Sequence, residues 1–207
     1  MPAWIEYIAV AVCAVSAVLA AEGKRMDLFG VMVLALVTAV GGGTIRDLCL
    51  GVRPVFWIEQ PQAVWTALIA AAVTFVAARF VHVPARMLDV ADAFGLALFG
   101  IAGTEKALAF GTPGIVAILL GIVTGVAGGI LRDVLRGELP LVFQPDVNLY
   151  ATAVFVGALV FVLLRQSLPA SESHRYIGMA VILVLRLAAM RWRLRLPTFQ
   201  RRSKISG

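Results

Sequence analysis

The sequence predicts an all-α integral membrane protein with seven transmembrane helices, built as two inverted three-helix repeats plus one extra helix. Three observations carry this. Of 207 residues, 61% are hydrophobic, against roughly 45–50% in a soluble domain, and the mean hydropathy is +0.94. The charged residues, 14% of the chain, cluster at intervals, leaving uncharged runs that cross a hydrocarbon core with about 20 helical residues each. Finally, "VGGGTIRDLCLG" at residues 40–51 returns as "VAGGILRDVLRG" at residues 126–137, 86 positions further on.

The seven spans read as Ala3–Ala21, Leu28–Leu48, Ala63–Val83, Ala91–Phe110, Ile115–Leu135, Leu149–Leu164 and Tyr176–Met190. The last is short and contains Arg186, a side chain long enough to snorkel to the interface. A seventh span is preferred to a surface helix there, and six spans form the fallback. The chain opens "MPAWIEYIAV", with no basic residue before the first apolar run and Glu6 within it. That pattern argues against a cleaved signal peptide, so the first span is expected to stay. Cys13 and Cys49 read as packing residues instead of a disulfide framework. His82 and His174 fall near membrane boundaries and read as solvated or interfacial.

The 86-residue offset extends well beyond the motif. It places Glu6 over Asp92, Thr38 over Thr124, Gly42 and Gly43 over Gly128 and Gly129, Arg46 and Asp47 over Arg132 and Asp133, Gly51 over Gly137, and Pro54 over Pro140. Residues 1–87 form the first three-helix repeat, 88–173 the second, and 174–207 the seventh helix with a basic tail. Three spans are an odd number, so the second repeat enters the membrane in the opposite sense. Inverted repeats of this kind place interrupted helices near the bilayer midplane in transporters and channels.

Charge sets the expected orientation. The formal net charge is +6, and its distribution suits lipid headgroups and topology, with no nucleic-acid partner implied. Seven spans place Lys24, Arg25, Arg79, Arg86 and Arg136 on the same side as the tail residues Arg191, Arg193, Arg195, Arg201, Arg202 and Lys204. Arg53, Lys106, Arg165 and Arg175 fall on the other. The positive-inside rule then puts the C-terminus in the cytoplasm and the N-terminus outside.

The motif residues suggest a polar path. Three consecutive glycines at Gly41–Gly43 cost about 1 kcal/mol each relative to alanine and permit a bend; Gly128 and Gly129 soften the second copy. A break lining a polar pathway is the favoured reading, and close helix packing through small residues is the alternative. Arg46, Asp47, Arg132 and Asp133 are ionisable groups at membrane depth, where they face a cavity, a counter-charge or the interface. Successive helical residues diverge by about 100°, so each pair is free to find partners on other helices. Asp47 and Asp133 read either as cation-attracting mouths or as parts of salt-bridge latches. Thr38 and Thr124 can offer hydroxyls to a partly dehydrated ion or satisfy their own preceding turns. Lys106, beside Glu105, is a gating candidate or a helix-end pair. Glu6 and Asp92 either shape the field at opposite entrances or are ordinary helix-start acids. No Cys, His and acid spacing fits structural zinc, and no nucleophile motif is present. An enzyme is not expected, nor a cofactor.

With "GGGTIRD" and "AGGILRD" at matching places in two three-helix halves, the chain resembles the prokaryotic trimeric intracellular cation (TRIC) channel family, the YadS-like group once labelled putative glycine transporters. The resemblance covers about residues 3–190. It implies a homotrimer in the bacterial inner membrane with one pore per protomer, permeable to K+ and Na+ with a modest preference for K+. It also implies that the second and fifth spans, holding Gly41–Asp47 and Gly128–Asp133, line that pore. Ala127 stands where the first copy has Gly41. Two rival readings remain: a carrier for a small zwitterion such as glycine, with Arg46 or Arg132 on the carboxylate and Asp47 or Asp133 on the ammonium, and a structural protein whose Arg-Asp pairs clamp helices.

Overall fold

A computed structural model describes residues 2–80, 84, 86–144, 149–168, 172–192 and 194, and among them every regular element is helical. The order is α1 (Ala3–Ala21), α2 (Leu28–Leu50), a single turn α3 (Phe56–Glu59), α4 (Gln62–Ala77), α5 (Arg86–Ala109), α6 (Gly114–Leu135), a 3-10 turn (Leu141–Phe143), α7 (Tyr150–Ser167) and α8 (Ser173–Trp192). Six of them, α1, α2, α5, α6, α7 and α8, are long and apolar enough to cross a membrane, and α4 is a shorter apolar helix.

Local chemistry sets several ends. Asp27 caps α2 by accepting from the Gly30 N–H at 2.7 Å, which satisfies one of the orphan donors of a helix start. Gly51 and Gly137, one repeat apart, both stand at φ +71°. A side chain resists that left-handed conformation, which terminates the helix where α2 and α6 give way to loops.

Four expectations need correcting. The third span was expected over Ala63–Val83, but α4 has 16 residues, about 24 Å of helix against a core of about 30 Å. α3 and Pro61 precede α4, which starts one residue before the expected Ala63 and ends at Ala77, so the shortfall is at its far end; the expected end at Val83, with His82, lies outside the described residues. Arg186 does not snorkel: it is 1% exposed, with its guanidinium 4.6 Å from the centroid of the Tyr150 ring. The seventh helix is also longer than expected, with 20 residues, which carries Arg186 away from its end. His174 is buried, not solvated. Of the basic tail, Arg193, Arg195, Arg201, Arg202 and Lys204 lie outside the described residues.

Two apolar clusters form the core. One joins α1, α2 and α4, where Ala63, Ala67 and Ala71 recur every fourth residue on the buried face of α4. The other joins α5, α6, α7 and α8 around Val154, Phe161 and Ile182. Alanine and glycine dominate where helices touch, as expected when lipid removes the hydrophobic drive and close packing must hold helices together.

α2 and α6 bridge the two clusters. A Cβ built on Gly128 would lie 2.5 Å from the Thr38 carbonyl oxygen, and one built on Gly42 would strike the Thr124 carbonyl. These are the same contact made twice, since both members shift by one repeat. The helices are continuous through Gly41–Gly43 and Gly128–Gly129, so the expected break is absent. The glycines do what the alternative reading required: they let two backbones meet without a side chain between them.

Candidate functional site

Each end of the α2–α6 pair carries a buried charge cluster. On the Lys106 side, α2 presents Arg46 and Asp47, 1% and 0% exposed. Arg46 Nε donates to Asp47 Oδ1 at 2.8 Å, and Lys106 Nζ on α5 reaches the same oxygen at 2.8 Å. Asp47 Oδ2 accepts from the Phe56 backbone N–H at 2.9 Å. Arg46 also lies over the Phe56 ring, 5.6 Å from its centroid, and its Nη2 is 3.5 Å from Glu6 on α1. α3 is further held by Trp57 Nε1 donating to Thr44 Oγ1 at 3.0 Å and Tyr7 donating to Gln60 at 3.3 Å. One carboxylate thus ties α2, α5 and α3 together.

The Arg136 side repeats this plan with different details. Arg132 grips Asp133 through two hydrogen bonds, Nε to Oδ1 at 2.8 Å and Nη2 to Oδ2 at 3.1 Å. Its Nη1 donates to Asp92 at 2.9 Å and to Ser16 at 3.3 Å. Asp133 Oδ2 accepts from the Leu141 backbone N–H at 3.0 Å, the counterpart of the Phe56 contact. The second cation here is Arg136, 3.3 Å from Asp133 on the same helix, where the Lys106 side recruits its lysine from α5. Close by, Lys24 pairs with Glu138 and joins the α1–α2 and α6–α7 connections. Buried ion pairs of this kind are tolerable in a low dielectric only when remaining lone pairs and protons find hydrogen bonds, and both clusters approach that condition.

The expected residues therefore fall into place unevenly. Arg46 and Asp47 bond to each other, as do Arg132 and Asp133, although sequence spacing left them free to diverge. Both arginines are long enough to curl onto the next residue, and burial removes water as a competitor. Lys106 pairs with Asp47 and not with Glu105, which faces Arg175 on α8 at 3.1 Å. Glu6 and Asp92 each meet the arginine of their own repeat, so they are more than helix-start acids. The Thr38 and Thr124 hydroxyls donate to the carbonyls of Leu34 and Leu120, at 2.7 and 2.5 Å. Gly129 is set apart from Gly128: a Cβ there would meet Tyr150 Oη at 3.0 Å and Asp92 Oδ1 at 3.3 Å, so its missing side chain leaves room for the Arg132 cluster. Ser16, Phe56 and Tyr150 gave no signal in the sequence, because a serine, a backbone amide and a phenol beside these charges reveal themselves only in three dimensions.

A cavity of about 290 Å³ opens beside the first cluster, bordered by Glu6, Arg46, Gln60, Glu105, Lys106 and Arg165. A second, of about 500 Å³, opens on the other side by Arg86, Asp89 and Arg191. Among the described residues no group of His, Cys, Asp and Glu is arranged to hold a metal ion.

A multi-pass helical protein with a doubled glycine crossing and an arginine-aspartate cluster at each end is the class that fold and site define. The family model described as Glycine transporter matches residues 3–79 and again 89–166. The inner membrane protein YadS of Escherichia coli K12 is 43% identical over 198 residues, 95% of either chain. The TRIC trimeric intracellular cation channel orthologue from Rhodobacter sphaeroides is 39% identical with a TM-score of 0.87, covering 92% of this chain and 97% of that one. A further TRIC cation channel structure, at 31% identity, gives a TM-score of 0.86 over 97% and 98%. The chain belongs to this family, the YadS-like proteins and prokaryotic TRIC channels.

Proposed function

We propose that the protein is a passive channel for monovalent cations, permeable to K+ with modest preference over Na+, with one pore per protomer of a homotrimer. The observation that carries this reading is the α2–α6 crossing: two membrane helices meet backbone to backbone through Gly42 and Gly128, with a buried charge cluster at either end and a polar cavity beside the Lys106 cluster. Likeness to TRIC cation channels over nearly the whole chain supports it. The crossing is shut here, and conduction requires α2 and α6 to part or to bend where Gly41, Gly42, Gly43, Gly128 and Gly129 weaken them. Thr38 and Thr124 flank the crossing. Parting the backbones frees hydroxyl and carbonyl oxygens there to replace part of an ion's hydration shell, enough for weak selectivity without a cage of acids.

Arg46–Asp47 and Arg132–Asp133 are the latches at the two mouths. Pairing cancels much of the arginine field that would otherwise repel cations. Lys106 is the movable member: it is the most exposed partner in its cluster, at 27% against 0% for Asp47, and among the described residues it alone joins α5 to that carboxylate. Its withdrawal unties α5 from α2 and leaves a negative oxygen at the mouth. The seven-span, inverted plan with units 1–87, 88–173 and 174–207 belongs to the same proposal, with the N-terminus outside and the C-terminus cytoplasmic.

The Glycine transporter description favours a second reading, a carrier for a small zwitterion. In its simplest form Asp47 or Asp133 would hold the ammonium, yet each already accepts from a cation or two and a backbone amide. Liposomes loaded with KCl decide between them. Rapid accumulation of a tracer monovalent cation down its electrical gradient, unaffected by glycine, supports the channel. Saturable glycine counterflow with no cation uptake would replace it with the carrier.

A further inference from the structure

We propose that the Lys106-side cavity is a binding site for a small oxyanion, of the carboxylate or phosphate class. Three cationic side chains, Arg46, Lys106 and Arg165, border its roughly 290 Å³ together with two carboxylates, Glu6 and Glu105. The charges are not evenly used. Lys106 is satisfied by Asp47 and Glu105 faces Arg175. Arg165 is half-buried at the end of α7, and among the described residues no carboxylate pairs with it.

Arg46 supplies the more telling observation. It is 1% exposed and borders the cavity, yet among the described residues its Nη2 has no acceptor in hydrogen-bond geometry; its ion pair with Glu6 is long, at 3.5 Å. A guanidinium N–H removed from water and held only by a long ion pair keeps unused hydrogen-bonding capacity, which is costly when buried. An oxyanion between Arg46 Nη2 and Arg165 would satisfy that donor and neutralise Arg165, and the Gln60 amide is available on the same wall. Planar guanidinium donors match the oxygens of carboxylate and phosphate, and such charge-assisted bonds are the strong ones.

This goes beyond ion conduction. A bound anion at a mouth bordered by three cations and two carboxylates would offset the excess positive charge and lower the local barrier to a permeating cation, making occupancy a means of control.

The test uses the full chain in lipid nanodiscs, titrated with sodium acetate, sodium phosphate or glycine against sodium chloride at matched ionic strength, with binding read by calorimetry and thermal midpoint. A saturable response to acetate, phosphate or both, weakened about tenfold in Arg165→Gln and restored in Arg165→Lys, is the expected result. A response to only one of the two salts assigns the class. No saturable response beyond chloride, equal responses in wild type and Arg165→Gln, or a response to glycine alone would overturn the proposal. Binding is read at equilibrium without transport, so its failure leaves the channel reading untouched and the converse also holds.

Discussion

Gly128→Ala tests the helix crossing. The added methyl would sit 2.5 Å from the Thr38 carbonyl oxygen, where carbon-to-oxygen contacts normally lie about 3.3–3.6 Å apart, a shortfall of about 1 Å. The obstacle is backbone, so no rotamer change relieves it; α2 and α6 must separate. Overpacking of this kind costs roughly 1–3 kcal/mol. A rigid neighbour puts this case near the upper figure, and alanine returns about 1 kcal/mol of helix propensity. The net loss is about 2 kcal/mol, or a fall of about 4–8 °C in thermal midpoint for a chain of this size. Gly41→Ala is the control. Its methyl meets only the Leu131 side chain, which can turn away, and the second repeat already carries alanine at the matching position, Ala127. Thermal unfolding of detergent-purified protein, followed by loss of monodisperse material, should rank Gly41→Ala close to wild type and Gly128→Ala clearly below it. Gly128→Ala at or above wild type would refute the close-crossing argument.

Three further outcomes follow from the clusters. Asp47→Asn should lower stability more than Asp133→Asn: it leaves Arg46 with only Glu6 at 3.5 Å, whereas Arg132 keeps Asp92 at 2.9 Å. Removing one member of a buried pair costs about 3–5 kcal/mol, so Asp47→Asn should approach that figure in denaturation and Asp133→Asn fall short of it. Lys106→Gln should raise cation flux several-fold with a smaller loss of stability than Asp47→Asn, because Asp47 keeps Arg46 and the Phe56 N–H as partners; flux at or below wild type in liposomes would count against a latch. Cys49 is exposed beyond Asp47 on α2 and Cys13 is half-buried in α1, so a membrane-impermeant maleimide added to intact cells should label Cys49 and spare Cys13. Labelling of Cys49 only after the membrane is opened would reverse the proposed orientation.

Much of the helical layout is legible in the sequence because apolar length is a local property. Ala3–Ala21 agrees with α1 at both ends, and α6 begins one residue before the expected Ile115. The 86-residue offset set Glu6 over Asp92 and Arg46 over Arg132, but that each acid meets the arginine of its own half shows only in three dimensions. α4 was read too long because Phe80, Val81 and Val83 continue the apolar composition around Arg79 and His82, so the expected span ran on past Ala77, where the helix ends. Arg186 misled for a different reason. An arginine in an apolar run offers two solutions, reaching for the interface or finding a partner inside, and Tyr150 lies 36 residues away in sequence. The glycine motif likewise admits bending or close approach, and only the opposing carbonyls of Thr38 and Thr124 decide which one this conformation uses.

Single-channel recording tests the central claim most directly. The purified protein is fused into a planar bilayer with KCl high on one face and low on the other. Discrete unitary currents that reverse near the potassium equilibrium potential, shift only modestly when Na+ replaces K+, and vanish with a large organic cation are the predicted result. A silent bilayer from a preparation that still exchanges glycine across liposomes would contradict the channel and leave a carrier in its place.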